Sequence, residues 1–414
     1  MRPLAVFLIG LALLPAGAGA ETPPPIVLGE AHAQPADSDF AQGWRMALEA
    51  VNQAGGVMGR PLRVVPVRSG PNATPPPDVH MLFDGAQDSA QALALARQAA
   101  SWRLPYLVVR APSDRLVWQE GNRYTFRLAP STRMRVAALA PRALALRQKR
   151  WALVHEAAQD GQEEAAAFAA TLAAFQSQTE IVGRHAVTPG NVDAELLRAV
   201  QAEQPQALLL ALRGADLAAF GKLLRQQPAL QDLPVIVMHG EALDTPAPAG
   251  WIVATHDMLP AGQDGFAQAF AARTGHPATL PALQGYLALQ SLSAALRLAQ
   301  STDAEKLVDA LEGLRLDTPS GPIHYRKVDH QSTMGLFVAT GNEQGMDSRH
   351  YLDGARLQLP DAVAQRLRSP AKPVHTAAAP PADTGAGAPP AQASPAFGVS
   401  RFRSGGTTLA AWPD

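Results

Sequence analysis

The stretch FAQGWRMALEAVNQAGGVMGRPLRVVPV, residues 40–67, decides the fold of this chain. Its apolar residues recur at helical spacing from Phe40 to Val51, which predicts an amphipathic helix. The pair Gly55-Gly56 ends that helix, because glycine adopts positive φ at little steric cost. Leu62 to Val67 is rich in β-branched residues and predicts a buried strand, and Ile26 to Leu28 predicts another strand upstream. The unit is therefore β-α-turn-β, from which parallel sheets are built.

Composition bounds the class of protein. A length of 414 residues predicts about two or three compact units of ~150 residues. The 47% of hydrophobic residues is ample for large cores, and 35 basic against 36 acidic residues give no basic surface for nucleic acid. The chain has no cysteine, which excludes disulfides, thiolate metal sites, a cysteine nucleophile and a lipid-modified N-terminal cysteine.

The first twenty residues have the three regions of a secretory signal peptide. Arg2 supplies the positive charge, Leu4 to Leu14 the apolar core, and Ala18-Gly19-Ala20 the small residues at a cleavage site. A membrane anchor is the alternative, but the apolar run is too short to span a bilayer. We expect cleavage after Ala20 and a mature periplasmic protein.

The rest of the chain alternates strands with helices from Val79 to Met238, which predicts doubly wound parallel sheets. Residues 68–78 hold four prolines and predict no helix, although a parallel connection normally needs one. Gly321 to Tyr325 and Gly335 to Thr340 predict a pair of strands. From Ser369 the sequence is rich in Ala and Pro and predicts a disordered linker and tail.

The pattern A-x-x-x-V-N-x-A-G-G-V-x-G-R-P-L, at residues 47–62, resembles the branched-chain amino-acid/amide-binding proteins of ABC transporters. These are type I periplasmic binding proteins. The resemblance continues at the motif Tyr124-Thr125-Phe126-Arg127 and at the segment DTPSGPIHYRKVDHQ, residues 317–331. The plainest departure is at Ser69-Gly70, where the family has an acidic residue at a strand end followed by a helix.

The resemblance implies an α/β fold of two doubly wound parallel-sheet lobes joined by a three-strand hinge. Lobe one would hold residues 25–128 and 254–318, lobe two residues 129–253 and 319–350, and a C-terminal extension residues 351–414.

Enzyme motifs are not supported. His155-Glu156 begins like H-E-x-x-H, but Gln159 stands in place of the second histidine, and the pair follows a strand rather than lying on a helix. No G-x-S-x-G elbow and no P-loop occurs, and the eleven histidines are scattered. We therefore predict no catalytic residue, no metal site and no cofactor.

A binding cleft is the stronger hypothesis, because ligands of open α/β sheets lie beyond the carboxyl ends of the strands. The resemblance places an ammonium-binding acid at Glu241 and a carboxylate-binding serine at Ser89, which follows Gly85 at a helix start. A solvated loop is the alternative for Glu241. A simple N-cap is the alternative for Ser89, with Asp88 competing for the cap.

Further positions of the family's site carry changes. Ala111 and Ser113 match a small-residue cluster, but Arg110 beside them is foreign to it. Asp160 stands where a Tyr-Gly pair commonly packs on the ligand, and Arg213 faces it where Tyr or Gly is common.

The two arginines leave alternatives open. Both could bind an anion bidentately. Arg110 could instead pair with Asp84 or Asp114, and Arg213 with Asp216. Together the changes argue against a simple leucine-type ligand.

The resemblance implies a periplasmic substrate-binding component of an ABC transporter. It would capture a small polar ligand, such as an amino acid or amide, by domain closure and deliver it to a permease in the inner membrane. We expect a monomer that is not an enzyme. The alternatives are a sensing or regulatory receptor of the same fold and a degenerate homologue that binds nothing.

Overall fold

The computed structural model describes residues 23–240, 247–255, 265–342 and 345–368. The predicted signal peptide, Glu241 and the predicted tail lie outside these ranges, so the expectations about them stay predictions. Among the described residues, no helix has both the length and the apolar character of a membrane span.

Strands and helices alternate along most of the chain. The strands are β1 (Ile26–Ala31), β2 (Leu62–Val67), β3 (Val79–Asp84), β4 (Tyr106–Val108), β5 (Thr125–Arg127), β6 (Arg150–Glu156), β7 (Glu180–Val187), β8 (Ala207–Ala211), β9 (Val235–Val237), β10 (Ile252–Thr255), β11 (Arg315–Leu316), β12 (Ile323–His324), β13 (Leu336–Asn342) and β14 (Gly345–Leu352). The helices are α1 (Asp39–Gln53), α2 (Ser89–Trp102), α3 (Thr132–Ala145), α4 (Gln159–Phe175), α5 (Ala194–Ala202), α6 (Gly214–Leu224), α7 (Gly265–Thr274), α8 (Leu280–Ala299), α9 (Ala304–Leu311), α10 (Gly354–Leu357) and α11 (Asp361–Arg368).

Lobe one is built on a five-stranded parallel sheet in the order β2-β1-β3-β4-β5. Helix α1 begins where the Ser38 hydroxyl accepts a hydrogen bond from the N–H of Ala41. Its apolar face packs on the sheet and on α8. The two helices approach closely at Gly43, where a Cβ atom would lie 1.9 Å from the carbonyl of Ala282. The predicted opening unit is confirmed.

Lobe two is built on a seven-stranded sheet in the order β14-β13-β10-β9-β8-β6-β7. Strands β6 to β10 run parallel to one another, whereas β13 runs antiparallel to both β10 and β14. Separate apolar clusters cover the two faces, one with α3 and α4 and the other with α5 and α6. The predicted fold class is confirmed.

The hinge is visible where the chain returns past β5. The N–H of Arg127 donates to the carbonyl of His330 over 3.1 Å, and the N–H of Ser332 donates to the carbonyl of Arg127 over 2.9 Å. The segment around Gln331 therefore runs beside β5 as a crossing strand.

The predicted strand pair around Asp329-His330-Gln331 is correct in its first strand and in the antiparallel turn, but wrong in its second strand, because Gly335 to Thr340 pairs elsewhere. Strand β12 pairs with β11, and β13 pairs with β10 and β14. Residues 324–326 turn back antiparallel on residues 331–333. The N–H of Arg326 donates to the carbonyl of Gln331 and the N–H of Thr333 to that of His324, each over 2.9 Å, beside a bridge between Tyr325 and Ser332. Residues 327–329 form the turn between these two segments. Residues 331–332 then lie beside β5 in the hinge, so they do not continue into β13.

The connection from β2 to β3, residues 68–78, contains no helix, as its prolines predict. It crosses from one side of β1 to the other, because β1 lies between β2 and β3. On the sheet face that carries α2, neighbouring side chains close over Gly29. A Cβ atom there would lie 2.6 Å from Val67 and 2.7 Å from Leu82. The space left by the missing side chain of Gly29 is thus filled by residues of the neighbouring strands.

Helices α10 and α11 of the C-terminal extension, which the sequence did not predict, attach to both lobes. Leu357 belongs to the apolar cluster of lobe two, while Leu359 and Leu367 pack against the cluster of lobe one. The guanidinium of Arg368 donates to the carbonyl of Asn122 over 2.7 Å. The extension therefore spans the hinge region.

Candidate binding site between the lobes

The lobe-one side of the site begins at Asp84, the last residue of β3. Its carboxylate accepts from the N–H of Ala86 over 2.7 Å, which turns the chain toward α2. Gly85 is required here by packing, because a Cβ atom would lie 2.5 Å from the ring of Phe40. Its carbonyl accepts from Arg110 over 3.3 Å, so the predicted residues Gly85 and Arg110 lie together.

Ser89 and Ser113 are joined at the start of α2. Both are fully buried, and the Ser89 hydroxyl accepts from the N–H of Ser113 over 3.1 Å. The N-cap of α2 is Asp88, whose carboxylate accepts from the N–H groups of Ala90 and Gln91. The N-cap alternative for Ser89 is therefore wrong. Ala111 is buried in the apolar cluster of this lobe.

Arg127 holds the loop that carries Ser113. It is buried, and its guanidinium donates to the carbonyls of Pro112, over 3.0 Å, and of Ser113, and to the side chain of Gln331. Burial lowers the pKa of Arg127 to about 10, although the nearby Asp114 carboxylate opposes the shift. The arginine of the Tyr-x-Phe-Arg motif thus ties the hinge to the site.

The lobe-two side is a charged network at the first turns of α4. Glu164 is fully buried, and its carboxylate lies 2.7 Å from a guanidinium nitrogen of Arg213 and 2.9 Å from Nε2 of His239. Burial alone would raise the pKa of Glu164, but the charge of Arg213 and the hydrogen bond with His239 lower it to about 2. Arg213 also pairs with Glu156. These contacts hold the side chains of the network in position on the lobe-two side of the site without a ligand.

Arg213 does not form the alternative pair with Asp216. That carboxylate accepts from the N–H of Gly190 over 2.9 Å. The partners that Arg213 does have were missed by the sequence analysis. Their signal was the cluster of acids where α4 follows the end of β6.

The two lobes meet through side chains of α4. The N–H of Ser89 donates to Oδ2 of Asp160 over 3.1 Å, and the hydroxyl of Ser113 donates to Glu163 over 2.6 Å. Asp160 is only 8% exposed, and burial raises its pKa to about 6 despite the hydrogen bonds from Ser89. Its other oxygen, Oδ1, is buried and has no hydrogen-bond partner in the part of the chain that the structure describes. The structure therefore brings together Ser89, Ser113 and Asp160, three of the predicted residues.

A serine, a histidine and a carboxylate also lie in series at the edge of lobe one. Ser69 Oγ lies 2.8 Å from His32 Nε2, and His32 Nδ1 lies 3.1 Å from Asp84 Oδ2. The hydrogen bond with Asp84 raises the pKa of His32. The order resembles a hydrolase triad. The same Asp84 carboxylate also accepts from the Tyr106 hydroxyl and an N–H of the turn, so we interpret the series as the attachment of the connection after β2.

These observations define a two-lobe α/β protein whose lobes meet through polar groups beyond the carboxyl ends of their parallel strands. Residues 78–346 match the periplasmic binding protein family, and the chain belongs to that family. The predicted family is confirmed. A search of curated proteins returned no match.

Solved structures share the fold. An amino acid ABC transporter substrate-binding protein from Pseudomonas fluorescens Pf-5 is 17% identical, with a TM-score of 0.68 over 83% of this chain and 98% of its own. An ABC transporter substrate-binding protein from Desulfitobacterium hafniense in complex with Leu is 21% identical, with a TM-score of 0.61 over 79% and 100%. A solute binding protein from Rhodopseudomonas palustris HaA2 in complex with p-hydroxybenzoic acid is 14% identical, with a TM-score of 0.65 over 83% and 100%.

Proposed function

We propose that this protein is the substrate-binding component of an ABC transporter and captures a small polar ligand between its lobes. The supporting observation is the pair of contacts from Ser89 and Ser113 in lobe one to Asp160 and Glu163 in lobe two. Hydrogen-bond donors of lobe one are paired with carboxylates of lobe two. Opening or closing the lobes therefore changes the hydrogen-bond partners of these groups. A ligand that pairs with these groups would shift the balance between open and closed forms, because an unpaired buried donor or acceptor costs about 1–3 kcal/mol.

The charged and polar side chains on the lobe-two side of the site support the proposal that the ligand is polar. Arg213, Glu164 and His239 hold one another in place, so binding would cost little ordering of these side chains. The ligands bound in two structural relatives, leucine and p-hydroxybenzoic acid, are small molecules with polar groups. We extend that ligand class to this chain as a proposal.

The mechanism is hinge closure around the ligand without bond chemistry, the motion by which periplasmic binding proteins in general enclose their ligands. We propose the lobe boundaries of the sequence analysis with one change: residues 25–128 and the segment that ends at 318 form one body, and residues 129–253 and 319–350 the other. Residues 254–255 move to the second body, because β10 lies in its sheet. Export by the signal peptide at residues 1–20, delivery to an inner-membrane permease and a monomeric state complete the proposal.

A ligand screen tests this function. The purified protein is screened by thermal shift against amino acids, amides, amines and aromatic acids, and hits are titrated by calorimetry. We expect at least one hit with micromolar affinity, about −8 kcal/mol. Small-angle scattering with and without the hit then measures closure. Ser113→Ala should weaken the hit, because it removes a hydroxyl at the meeting of the lobes, whereas Ser301→Ala on the surface should not. A complete lack of hits would contradict the proposal.

The second candidate is a homologue that binds nothing. It is favoured by the same contacts, since Asp160 and Glu163 already satisfy the donors of lobe one. Scattering separates the two candidates. A non-binding homologue would stay equally compact with every compound of the screen, whereas a binding protein would change its radius of gyration with its ligand.

A further inference from the structure

The start of α2 holds an anion that belongs to the chain itself. A helix N-terminus carries unsatisfied N–H groups and partial positive charge, and it binds carboxylates readily. Asp88 satisfies the N–H groups of Ala90 and Gln91, which leaves the N–H of Ser89. That N–H donates to Oδ2 of Asp160, which comes from the other lobe. A carboxylate therefore already occupies this N-terminus.

The neighbouring donors are occupied as well. The N–H of Ser113 donates to the Ser89 hydroxyl, and the Ser113 hydroxyl donates to Glu163 over 2.6 Å. A ligand carboxylate that approached these groups would find two side-chain carboxylates in its place. Like charges brought together in a closed interface cost several kcal/mol. The arrangement thus excludes a second carboxylate at this point.

Asp160 has one hydrogen-bonding position left. The side chain is 8% exposed, and its Oδ1 is buried without a partner among the described residues. A buried acceptor without a donor costs about 1–3 kcal/mol, and more if it is charged. An ionised carboxylate can only accept hydrogen bonds, so the partner that fits Oδ1 is an N–H or O–H group.

We infer that Asp160 supplies from within the chain the carboxylate of this site, and that the ligand is an amine or amide that carries no carboxylate. The inference rests on the proposed function and deepens it by naming the ligand class. Oδ2 of Asp160 stays on Ser89, and Oδ1 receives an ammonium or amide N–H of the ligand. Asp160 is then the residue that distinguishes amines and amides from the corresponding acids.

The test uses compounds that differ only in the carboxylate. Leucine is compared with leucinamide and 3-methylbutylamine, arginine with agmatine, and p-hydroxybenzoic acid with 4-hydroxybenzamide. Each is titrated by calorimetry into the full-length mature protein, into Asp160→Ser and into Asp160→Asn. Asp160→Ser frees the N–H of Ser89 and removes the acceptor. Asp160→Asn keeps the shape and an oxygen for Ser89. The exposed Asp232→Ser serves as the matched control.

We expect the wild type and Asp232→Ser to bind an amine or amide of the panel at least 10-fold more tightly than its acid. Asp160→Ser should reverse that preference, with a gain of at least 10-fold for the acid. Asp160→Asn should lose the amine without gaining the acid to the same extent, and it reports on the site if the serine variant folds poorly.

Two results would overturn the inference, and they differ. Tight binding of an acid by the wild type, unchanged in Asp160→Ser, would refute the role of Asp160 and leave the proposed function standing. Failure of every compound to bind any of the four proteins would refute the proposed function and the inference together.

Discussion

The imidazole of His330 lies flat on the ring of Phe126, with ring centroids 4.0 Å apart and an angle of 3° between the planes. Its Nδ1 lies 3.0 Å from the carbonyl of Thr125 and 3.2 Å from the guanidinium of Arg368. Burial, helped by Arg368, lowers the pKa of His330 to about 3. One neutral ring thus joins the crossing segment, β5 and the end of α11.

His330 should make the protein sensitive to acid. Its pKa falls from the ordinary 6.5 to about 3 on folding, so between these values the unfolded chain binds a proton that the folded chain does not. Stability should therefore fall as the pH drops through this range, by up to about 1.4 kcal/mol per pH unit. His330→Asn keeps an amide donor and tolerates the positive φ of 61°.

Urea denaturation at pH 7.0, 6.0 and 5.0 measures this effect. The slope of the free energy of unfolding against pH should be shallower in His330→Asn than in the wild type. Equal slopes in the two proteins would show that His330 titrates normally in the folded state.

Glu164 should be essential for stability. It is fully buried between Arg213 and His239, and its neutralisation removes one of the two carboxylates that pair with Arg213 and the carboxylate that contacts His239. We expect Glu164→Gln to lower the free energy of unfolding by about 3–5 kcal/mol. The control is Glu180→Gln, which breaks an exposed pair with Arg150 and should cost at most about 1 kcal/mol. Urea denaturation at pH 7 compares them, and similar losses would contradict the prediction.

Gly29 should not tolerate a methyl group. Its Cβ would lie 2.6 Å from Val67 and 2.7 Å from Leu82 in a packed core, and such overpacking costs about 1–3 kcal/mol. Gly265→Ala is the control, because no described atom lies within 4 Å of its Cβ and alanine favours a helix. Thermal unfolding should show a lower midpoint for Gly29→Ala alone. An unchanged midpoint would mean that the strand and its neighbours can move apart.

The C-terminal extension should divide into a stabilising part and a dispensable part. Truncation after Ala371 removes the Ala/Pro-rich linker and the tail that follows it, and should leave the thermal midpoint unchanged. Truncation after Asp353 also removes Leu357, whose burial alone is worth about 1.5–3 kcal/mol, and the hydrogen bonds of Arg368. Its midpoint should fall by several degrees. Equal midpoints for the two truncations would show that α10 and α11 contribute nothing.

Long periodic segments made most of the fold predictable. The helix and strand predicted from residues 40–67 occur as Asp39–Gln53 and Leu62–Val67, because both patterns agree with local turn chemistry. The segment predicted to pair with β12 was placed too far along the chain, because residues 331–333, and not 335–340, turn back beside it. So short a segment has no periodicity of its own, and the contact of the hinge with β5 decides its pairing.

The sequence predicted where the residues of the candidate site lie, but not their hydrogen-bond and ion-pair partners. Ser89 and Ser113 lie at strand ends or helix starts, where the sequence placed them. The partners of Arg213 lie 49 and 57 positions away along the chain, and no spacing rule connects them. That Asp160 contacts the N–H of Ser89 depends on how the lobes close, which a local pattern does not encode. Ligand binding by all of these residues stays a prediction.

A single helical segment, Gln159 to Glu164 of α4, carries both the residue that contacts the opposite lobe and the residue that anchors Arg213 and His239. The proposed determinant of selectivity and a determinant of core stability thus lie within six consecutive residues. Directed evolution of new ligand preferences should therefore randomise Asp160 and Glu163 while Glu164 is held constant. Libraries that vary all three positions would lose most of their members to unfolding before selection for binding begins.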